Sequence, residues 1–199
     1  MNSFDTRAKS WDLEQRRVQN ASAIAKAIEQ KIPLSKQMRL LDLGVGTGLL
    51  GSCLASRVGK IIGVDNSQAM LEEFMAKKDT FVCEIEPVCL DVNKEPLTFK
   101  VDGIISSMTL HHIKDIARLF ENFAKILPEG GFLALADLVS EDGSFHSDNT
   151  GVYHFGFEKD ALVELAKKSG FEEIAFEVVH TITKPHKSFD VFLLTAQKA

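Results

Sequence analysis

Short apolar runs alternate with helix-patterned segments from residue 39 almost to the end of the chain. The first run, RLLDLG at residues 39–44, is nearly continuously hydrophobic and ends in glycine, which is typical of a buried parallel strand. Runs of this kind predict seven strands. They cover residues 39–44, 60–65, 86–91, 101–108, 130–139, 172–184 and 189–198.

Hydrophobic residues recur at helical spacing between these strands and in one segment before them. The predicted helices cover residues 13–32, 49–58, 67–78, 115–127 and 158–170. This alternation predicts an α/β fold of the three-layer, Rossmann-like type, with a seven-stranded, mostly parallel sheet and helices on both faces. Because only a short turn around Pro185 joins the last two strands, we expect an antiparallel C-terminal hairpin at the edge of the sheet.

Chain length and one interruption of the pattern define the domain organisation. A length of 199 residues is that of a single domain, which we assign to residues 39–199. Residues 1–38 precede the alternation and are predicted to form a separate N-terminal helical segment. A polar stretch at residues 140–157 follows the fifth strand, and its density of polar groups predicts an insertion on the substrate side of a pocket.

Composition disfavours several classes of protein. The 23 Lys and Arg residues against 28 Asp and Glu residues give a net charge of −5, without the basic surplus of nucleic-acid-binding proteins, so no such partner is expected. Neither a signal peptide nor an apolar run of the ~20 residues that cross a bilayer is recognisable, so we expect a cytoplasmic protein without a membrane partner. The three cysteines form no CxxC pair and are expected to be buried free thiols.

A glycine-rich segment, DLGVGTGLLG at residues 42–51, lies where the first strand gives way to the first helix. Closely spaced glycines let the backbone bend sharply and approach a ligand. The segment contains a GxGxxG pattern from Gly46, and Asp65 follows about twenty residues later, so a nicotinamide-dependent oxidoreductase is one open alternative. Asp42 disfavours a pyrophosphate at this place and favours a ligand that carries an ammonium or sulfonium group.

The chain from about residue 39 to residue 198 resembles the class I S-adenosylmethionine-dependent methyltransferases, especially the small enzymes that act on small molecules. Five segments match the motifs of that family in order. They are LLDLGVGTG (40–48), GVDNSQAML (63–71), CLDVN (89–93), VDGIISSMTLHHI (101–113) and LPEGGFLALAD (127–137). The resemblance implies S-adenosylmethionine as cofactor.

The resemblance also implies a cofactor-binding role for particular residues. Gly44, Gly46 and Gly48 would line the cofactor with their backbone, and Asp42 would lie near its ammonium group. Asp65, with Asn66 beside it, would accept hydrogen bonds from both ribose hydroxyls. The remaining members are Met70 and Asp91 with Val92 at the adenine, and Ser106 and Leu110 over the methionyl part. Other roles stay open, since Asp42 could cap the following turn, Asp65 could form an Asx turn and Met70 could fill the core.

Methyl transfer from a sulfonium is an in-line displacement, for which the protein chiefly positions the acceptor and excludes water. A general base is needed only when the acceptor loses a proton. His111 follows the fourth predicted strand at the sheet edge where ligands bind, which makes it the candidate catalytic base, with helix capping as the alternative. The FD…A…WD pattern at residues 4–12 resembles the N-terminal lid segment of several small-molecule methyltransferases, which implies that residues 1–38 form a lid with Trp11 over the site. The predicted substrate-side residues are Trp11, His112, His146, Tyr153 and His154. The spacing of the last two histidines matches no known metal-ligand pattern, so no metal is expected.

Two functions fit these features. The first is the transfer of a methyl group from S-adenosylmethionine to a small-molecule acceptor. The second is a non-catalytic S-adenosylmethionine-binding sensor or partner subunit. Residues 106–109 read Ser-Ser-Met-Thr where the family's amino-directed enzymes carry an Asn-Pro-Pro-Tyr type of motif, which disfavours DNA bases and glutamine as acceptors. The identity of the acceptor and the oligomeric state are left open.

Overall fold

A single mixed sheet of seven strands organises the computed structural model, which describes residues 4–199. The strands are β1 (Arg39–Leu43), β2 (Lys60–Asp65), β3 (Glu84–Cys89), β4 (Gly103–Ser107), β5 (Phe132–Leu138), β6 (Phe171–Lys184) and β7 (Lys187–Lys198). Their order across the sheet is β3-β2-β1-β4-β5-β7-β6. Strands β1 to β5 pair in parallel, and β7 lies antiparallel between β5 and β6. The predicted mostly parallel sheet with an antiparallel C-terminal hairpin is therefore confirmed.

Two hydrophobic layers cover the sheet, because neighbouring strand residues point to opposite faces. The helices are α1 (Gln15–Lys31), α2 (Leu49–Leu54), α3 (Gln68–Ala76), α4 (Ile116–Ile126) and α5 (Lys159–Lys168). Leu40 and Ile61 belong to the cluster that includes buried residues of α1, α2 and α3. Leu41 and Ile62, one position further along each strand, belong to the cluster that includes residues of α4 and α5. Helices thus lie on both faces, as predicted.

Two local differences from the prediction concern element boundaries. Strand β3 begins at Glu84, two residues earlier than predicted, and ends at Cys89. The Lys60 ammonium, on the neighbouring strand β2, lies 2.7 Å from a carboxylate oxygen of Glu84 and 2.7 Å from one of Glu86. Charged side chains on an edge strand hide its pattern from a hydrophobicity scan. Helix α2 ends at Leu54, four residues before the predicted boundary.

The N-terminal segment and the insertion both pack onto the sheet domain. Helix α1 follows a 3-10 turn at Ala8–Leu13 and buries its apolar face in the core with Ile24 and Ile28. Residues 140–157 have an irregular backbone, and a bridge between Val139 and Phe157 closes the base of this loop.

Two further features bear on the sequence predictions. The cysteines are free as predicted, but Cys53 and Cys89 are exposed rather than buried. Cys53 lies on the solvent side of the short helix α2, and Cys89 ends the edge strand β3. Within the described residues, none of the helices has the length and apolar character that a membrane span requires.

Candidate active site

A cavity of about 700 Å³ opens at the carboxyl ends of the parallel strands. This volume lies within the ~300–1,000 Å³ range of small-molecule sites. Its walls come from the glycine-rich loop after β1, the ends of β2 and β3, the loop after β4, the insertion and the N-terminal segment. The sequence-predicted residues that line it are Trp11, Asp42, Gly44, Gly46, Asp65, Asn66, Met70, Asp91, Val92, His111, His112 and His146. We refer to this cavity as the chamber.

The glycine-rich loop has a left-handed backbone at three positions. Gly44, Gly46 and Gly48 have φ values of +68°, +53° and +85°. A Cβ atom at Gly44 would lie 2.0 Å from Oγ1 of Thr109, whereas one at Gly46 would meet no heavy atom within 4 Å among residues 4–199. Gly44 is therefore required for packing against the loop after β4, and Gly46 presents a bare backbone to the chamber.

Alanine substitutions at these two glycines are expected to differ in stability. Gly44→Ala adds a clash with Thr109 of ~1–3 kcal/mol to the ~1–2 kcal/mol cost of a left-handed alanine. Gly46→Ala carries only the backbone cost, since the space beside it is open. Urea unfolding should show the larger loss of unfolding free energy in Gly44→Ala. Equal losses in the two variants would contradict the packing role of Gly44.

Asp42 and Asp65 stand at the base of the chamber and both accept backbone hydrogen bonds. The Asp42 carboxylate is 1% exposed and accepts the N–H of Gly51 in the first turn of α2 at 3.1 Å. Burial raises its pKa to about 8. Asp65 accepts the N–H groups of Gly46 and Ser67, each at 2.9 Å, and burial raises its pKa as well. Both alternative roles are thus present, a helix-start cap at Asp42 and an Asx turn at Asp65, and each carboxylate retains further acceptor capacity.

Asp91 and Met70 line the chamber at the same end as Asp42 and Asp65. Asp91 accepts the N–H of Asn93 at 3.0 Å and pairs with Lys94 at 3.0 Å. Burial alone would raise the pKa of Asp91, but Lys94 and the hydrogen bonds from Asn93 hold it below its usual value. The Met70 side chain is 1% exposed and lines the chamber from α3.

At the opposite end of the chamber, a buried carboxylate holds His111. Asp137 lies on β5, and one of its oxygens is 2.7 Å from Nδ1 of His111 while the other accepts the backbone N–H of the same residue at 3.2 Å. Burial alone would raise the pKa of Asp137, but His111 and the N–H of Leu138 hold it below its usual range. Because the carboxylate accepts from Nδ1, a neutral His111 ring carries its lone pair at Nε2.

Two more histidines lie against His111. The ring centroid of His112 is 4.1 Å from that of His111, and the centroid of His146 is 4.9 Å from it. Nδ1 of His112 lies 2.8 Å from the carbonyl oxygen of Gly151 and donates to it, since a carbonyl can only accept. Burial, followed by repulsion from His111 and His112, lowers the pKa of His146 to about 4. Burial and His111 also lower the pKa of His112.

The N-terminal segment closes one side of the chamber with an aromatic surface. Trp11 lines the chamber, and the Arg17 guanidinium stacks over its ring at 3.7 Å. Arg17 also donates a hydrogen bond to the Trp11 carbonyl oxygen at 3.1 Å. The Phe4 ring makes edge contacts with Trp11 and with His112.

Three side-chain contacts connect this segment to the glycine-rich loop and to the two ends of α3. One carboxylate oxygen of Asp12 accepts the Thr47 hydroxyl at 2.5 Å, and the other lies 2.7 Å from the Lys77 ammonium. Asp5 accepts the hydroxyl of Ser67 at 2.6 Å. The N-terminal segment is therefore bonded directly to the glycine-rich loop and to α3.

Comparison with known proteins identifies the family. A family model described as a methyltransferase domain matches residues 40–131. An uncharacterized methyltransferase of Schizosaccharomyces pombe is 31% identical over 149 residues, which are 66% of this chain and 52% of that protein. The methyltransferase solved in complex with the Haloferax volcanii Trm112 methyltransferase activator has a TM-score of 0.80 at 18% identity, covering 99% of this chain and 98% of that chain. Together these matches support a class I S-adenosylmethionine-dependent methyltransferase.

A further structural relative of this methyltransferase was solved with a cofactor. Phosphoethanolamine N-methyltransferase 2 of Haemonchus contortus, in complex with S-adenosyl-L-methionine, has a TM-score of 0.71 at 19% identity over 87% of this chain and 52% of that chain. The chain spans about half the length of the curated relatives it matches, 52% for the S. pombe protein. The family match favours S-adenosylmethionine as the cofactor over a nicotinamide dinucleotide, the alternative that the GxGxxG pattern suggested.

Five sequence-predicted residues of the methyltransferase lie outside the chamber lining. Gly48 packs against Phe74, and the Ser106 hydroxyl donates to the Leu43 carbonyl oxygen at 2.8 Å inside the sheet. Leu110 is fully buried in the core. Tyr153 is exposed, and Nε2 of His154 bonds the carbonyl oxygen of Ile113 at 2.9 Å. Tyr153 and His154 contact His111 through their backbone, since both N–H groups donate to its carbonyl oxygen.

Sequence reasoning missed Asp137, the partner of His111. A signal for it exists in the sequence, since Asp137 is the one charged residue in the apolar strand β5, FLALADL, where every position is buried. A buried acid inside a strand requires a hydrogen-bonding partner, and a histidine is a common one. Which histidine it meets depends on the pairing of β4 with β5, which the sequence pattern does not specify.

Proposed function

We propose that this methyltransferase transfers the methyl group of S-adenosylmethionine to a small-molecule acceptor inside the chamber. One observation carries the proposal: a single cavity joins two chemically distinct ends. The bare glycine backbone and the carboxylates Asp42 and Asp65 form one end, and the Asp137–His111 pair forms the other. A cofactor end and an acceptor end that share one space are what an in-line transfer requires.

The cofactor end fits S-adenosylmethionine in shape and charge. Gly46 leaves a gap that a side chain would fill, so a ligand can approach its backbone. Asp65 keeps lone pairs on both oxygens for a pair of ribose hydroxyls. Asp42 is buried without a cationic side chain in hydrogen-bond contact in the described chain, which favours a ligand that brings its own ammonium group. When bound, the cofactor supplies an electrophilic methyl group on its sulfonium.

Asp42 makes cofactor affinity depend on pH. Its pKa of about 8 leaves the carboxyl largely protonated at pH 6 in the free protein. A bound ammonium group stabilises the ionised form, so binding releases a proton and the affinity rises with pH until about 8. Calorimetry with S-adenosylhomocysteine between pH 6 and 8 should show an increase approaching tenfold per pH unit.

The matched variant for this pH dependence is Asp42→Asn, which keeps the size of the side chain and removes the titrating group. Its S-adenosylhomocysteine affinity should be lower and flat over the same pH range. A wild-type affinity that does not change between pH 6 and 8 would contradict the placement of Asp42 beside the ammonium.

At the acceptor end, His111 serves as the proton acceptor. Its Nε2 lone pair is fixed by the bond from Nδ1 to Asp137, and the ionised Asp137 stabilises the ring once it is protonated. Tyr153 and His154 of the insertion donate backbone hydrogen bonds to the carbonyl oxygen of His111. The Phe4 and Trp11 rings of the N-terminal segment cover this end and exclude water from it.

Two observations favour a small acceptor and an enzyme rather than a sensor. The N-terminal segment and the insertion both wall the chamber, which leaves a volume of about 700 Å³ for the cofactor and acceptor together. A buried carboxylate–histidine pair is costly to maintain and serves proton transfer, which a protein that only binds S-adenosylmethionine would not need.

The test begins with calorimetric titration of S-adenosylhomocysteine, with reduced nicotinamide dinucleotide as the control ligand. We expect micromolar binding of the first ligand alone. A screen of small hydroxyl, amine, thiol and carbon-acid acceptors with methyl-labelled S-adenosylmethionine then identifies the class that is methylated. Binding of the dinucleotide alone would overturn the proposal. Labelling of a protein or nucleic acid but of no small molecule would overturn the small-acceptor assignment.

A further inference from the structure

Three histidines converge at the acceptor end although they come from two separate loops. His111 and His112 follow β4, and His146 lies in the insertion. The centroids of His112 and His146 are 5.9 Å apart, and one ring nitrogen from each of the three residues lies within 4.8 Å of the other two. All three side chains line the chamber. The group is therefore a cluster of nitrogen donors in the wall of the chamber.

The hydrogen bonds of two of the rings use Nδ1 and leave Nε2 without a partner among the bonds described. Nδ1 of His111 is taken by Asp137, and Nδ1 of His112 is taken by the Gly151 carbonyl oxygen. In both rings the lone pair is thereby fixed on Nε2. Nε2 of His111 is buried and has no hydrogen-bond partner within residues 4–199. A buried acceptor without a donor is destabilising, so its retention calls for a ligand.

This arrangement is the one that supports metal-binding histidines in proteins. A metal-ligating histidine commonly donates its second ring N–H to a carboxylate or a backbone carbonyl, which fixes the tautomer and the ring orientation. Asp137 supplies the carboxylate for His111, and Gly151 supplies the carbonyl for His112. Three imidazole nitrogens with a fourth position open to a cavity form a donor set suited to zinc and similar ions.

We propose that His111, His112 and His146 bind a divalent first-row transition metal ion, with Zn²⁺ as the reference ion and the fourth coordination position facing the chamber. Zn–N bonds of ~2.0–2.1 Å put tetrahedral ligands roughly 3.4 Å apart, so the three nitrogens close up when the ion binds. His146 can supply this movement. It lies on an irregular loop, and its ring makes no hydrogen bond in the described part of the chain.

The metal site adds detail to the proposed function at the acceptor end. It rests on that function only for the identity of the fourth ligand. Metal and proton compete for the same lone pair on Nε2 of His111. In the metal-free protein His111 accepts the proton of the acceptor. In the loaded protein His111 is a ligand, and the open position faces the space where the acceptor's oxygen, nitrogen or sulfur atom lies.

Metal binding is tested on the full chain after treatment with a chelator and blocking of its free thiols. Titration with Co²⁺ should produce the intense visible absorption of a four-coordinate site and saturate at one equivalent, and Zn²⁺ should abolish it. His146→Gln should weaken the affinity more than 100-fold, because even second-shell changes cost about 10–100-fold. Asp137→Asn should weaken it about 10–100-fold.

The matched control is His186→Gln, the same substitution at an exposed histidine in the turn between β6 and β7. Its Co²⁺ spectrum and affinity should equal those of the wild type. The proposal is overturned if no saturable one-equivalent spectrum appears, if His146→Gln binds as tightly as the wild type, or if His186→Gln weakens binding equally. S-adenosylhomocysteine titrations of the same samples verify folding. Cofactor binding without Co²⁺ binding refutes the metal site alone, and the reverse refutes the proposed function alone.

Discussion

Replacing Asp65 by alanine is expected to weaken S-adenosylhomocysteine binding about 100- to 20,000-fold. Two hydrogen bonds from the ribose to a charged acceptor contribute ~1.5–3 kcal/mol each, and every 1.4 kcal/mol is about tenfold in affinity. The same change removes the acceptor of the Gly46 N–H, 2.9 Å away, so the glycine-rich loop loses its anchor as well. Calorimetric titration of wild type and variant measures the effect.

Two further variants separate binding from folding at Asp65. Asp160→Ala removes an exposed carboxylate in the first turn of α5 and should bind S-adenosylhomocysteine as the wild type does. Asp65→Asn keeps one acceptor oxygen for the loop and should lose less affinity than Asp65→Ala. If a folded Asp65→Ala protein retained affinity within a few-fold of the wild type, Asp65 would have no contact with the ribose.

Asp137→Asn is expected to lower kcat about 100- to 10,000-fold in the metal-free protein, with little change in S-adenosylhomocysteine affinity. The amide carries no negative charge, so it cannot stabilise the His111 ring once the ring is protonated. The measurement is methyl transfer to the acceptor found by the screen, with kcat and KM determined separately over a range of pH.

A double-mutant cycle tests whether Asp137 acts through His111. In a His111→Gln background, Asp137→Asn should lower kcat little further, because the two residues act as one unit. Asp190→Asn on the neighbouring strand β7 is the matched control and should leave kcat unchanged, since Asp190 is exposed and bonds Thr181 on β6. An unchanged kcat in Asp137→Asn would mean that the acceptor gives no proton to His111.

The fold was largely predictable because its signals are local. Buried parallel strands such as β1 are continuous apolar runs, and the glycines after β1 mark the left-handed turn that starts α2. Among the strands, the prediction was least accurate at the edge strand β3, where the charges of Glu84 and Glu86 replace the apolar signal. Local sequence patterns were sufficient to predict the structure wherever a residue's surroundings are determined by its own helix or strand.

The acceptor end was only partly predictable because it depends on contacts across the fold. The sequence separates His111 from Asp137 by 26 residues, and only the pairing of β4 with β5 brings them together. His146 joins them because the insertion folds back over the chamber, which the H-x7-H spacing of His146 and His154 gives no reason to expect. That spacing pairs His146 with the wrong partner, since His154 bonds the Ile113 carbonyl oxygen instead.

The place of β7 in the sheet has a consequence for how the protein is made. Asp137 on β5 lies opposite Phe192 on β7, so the inserted strand contributes to the burial of the carboxylate. A ribosome completes β5 well before β7, with the insertion, α5 and β6 synthesised between them. During that interval the nascent β5 has an unpaired edge, the kind of surface that invites aggregation and chaperone binding. Asp137 thus acquires its final electrostatic surroundings among the last events of folding, after the glycine-rich loop has been synthesised.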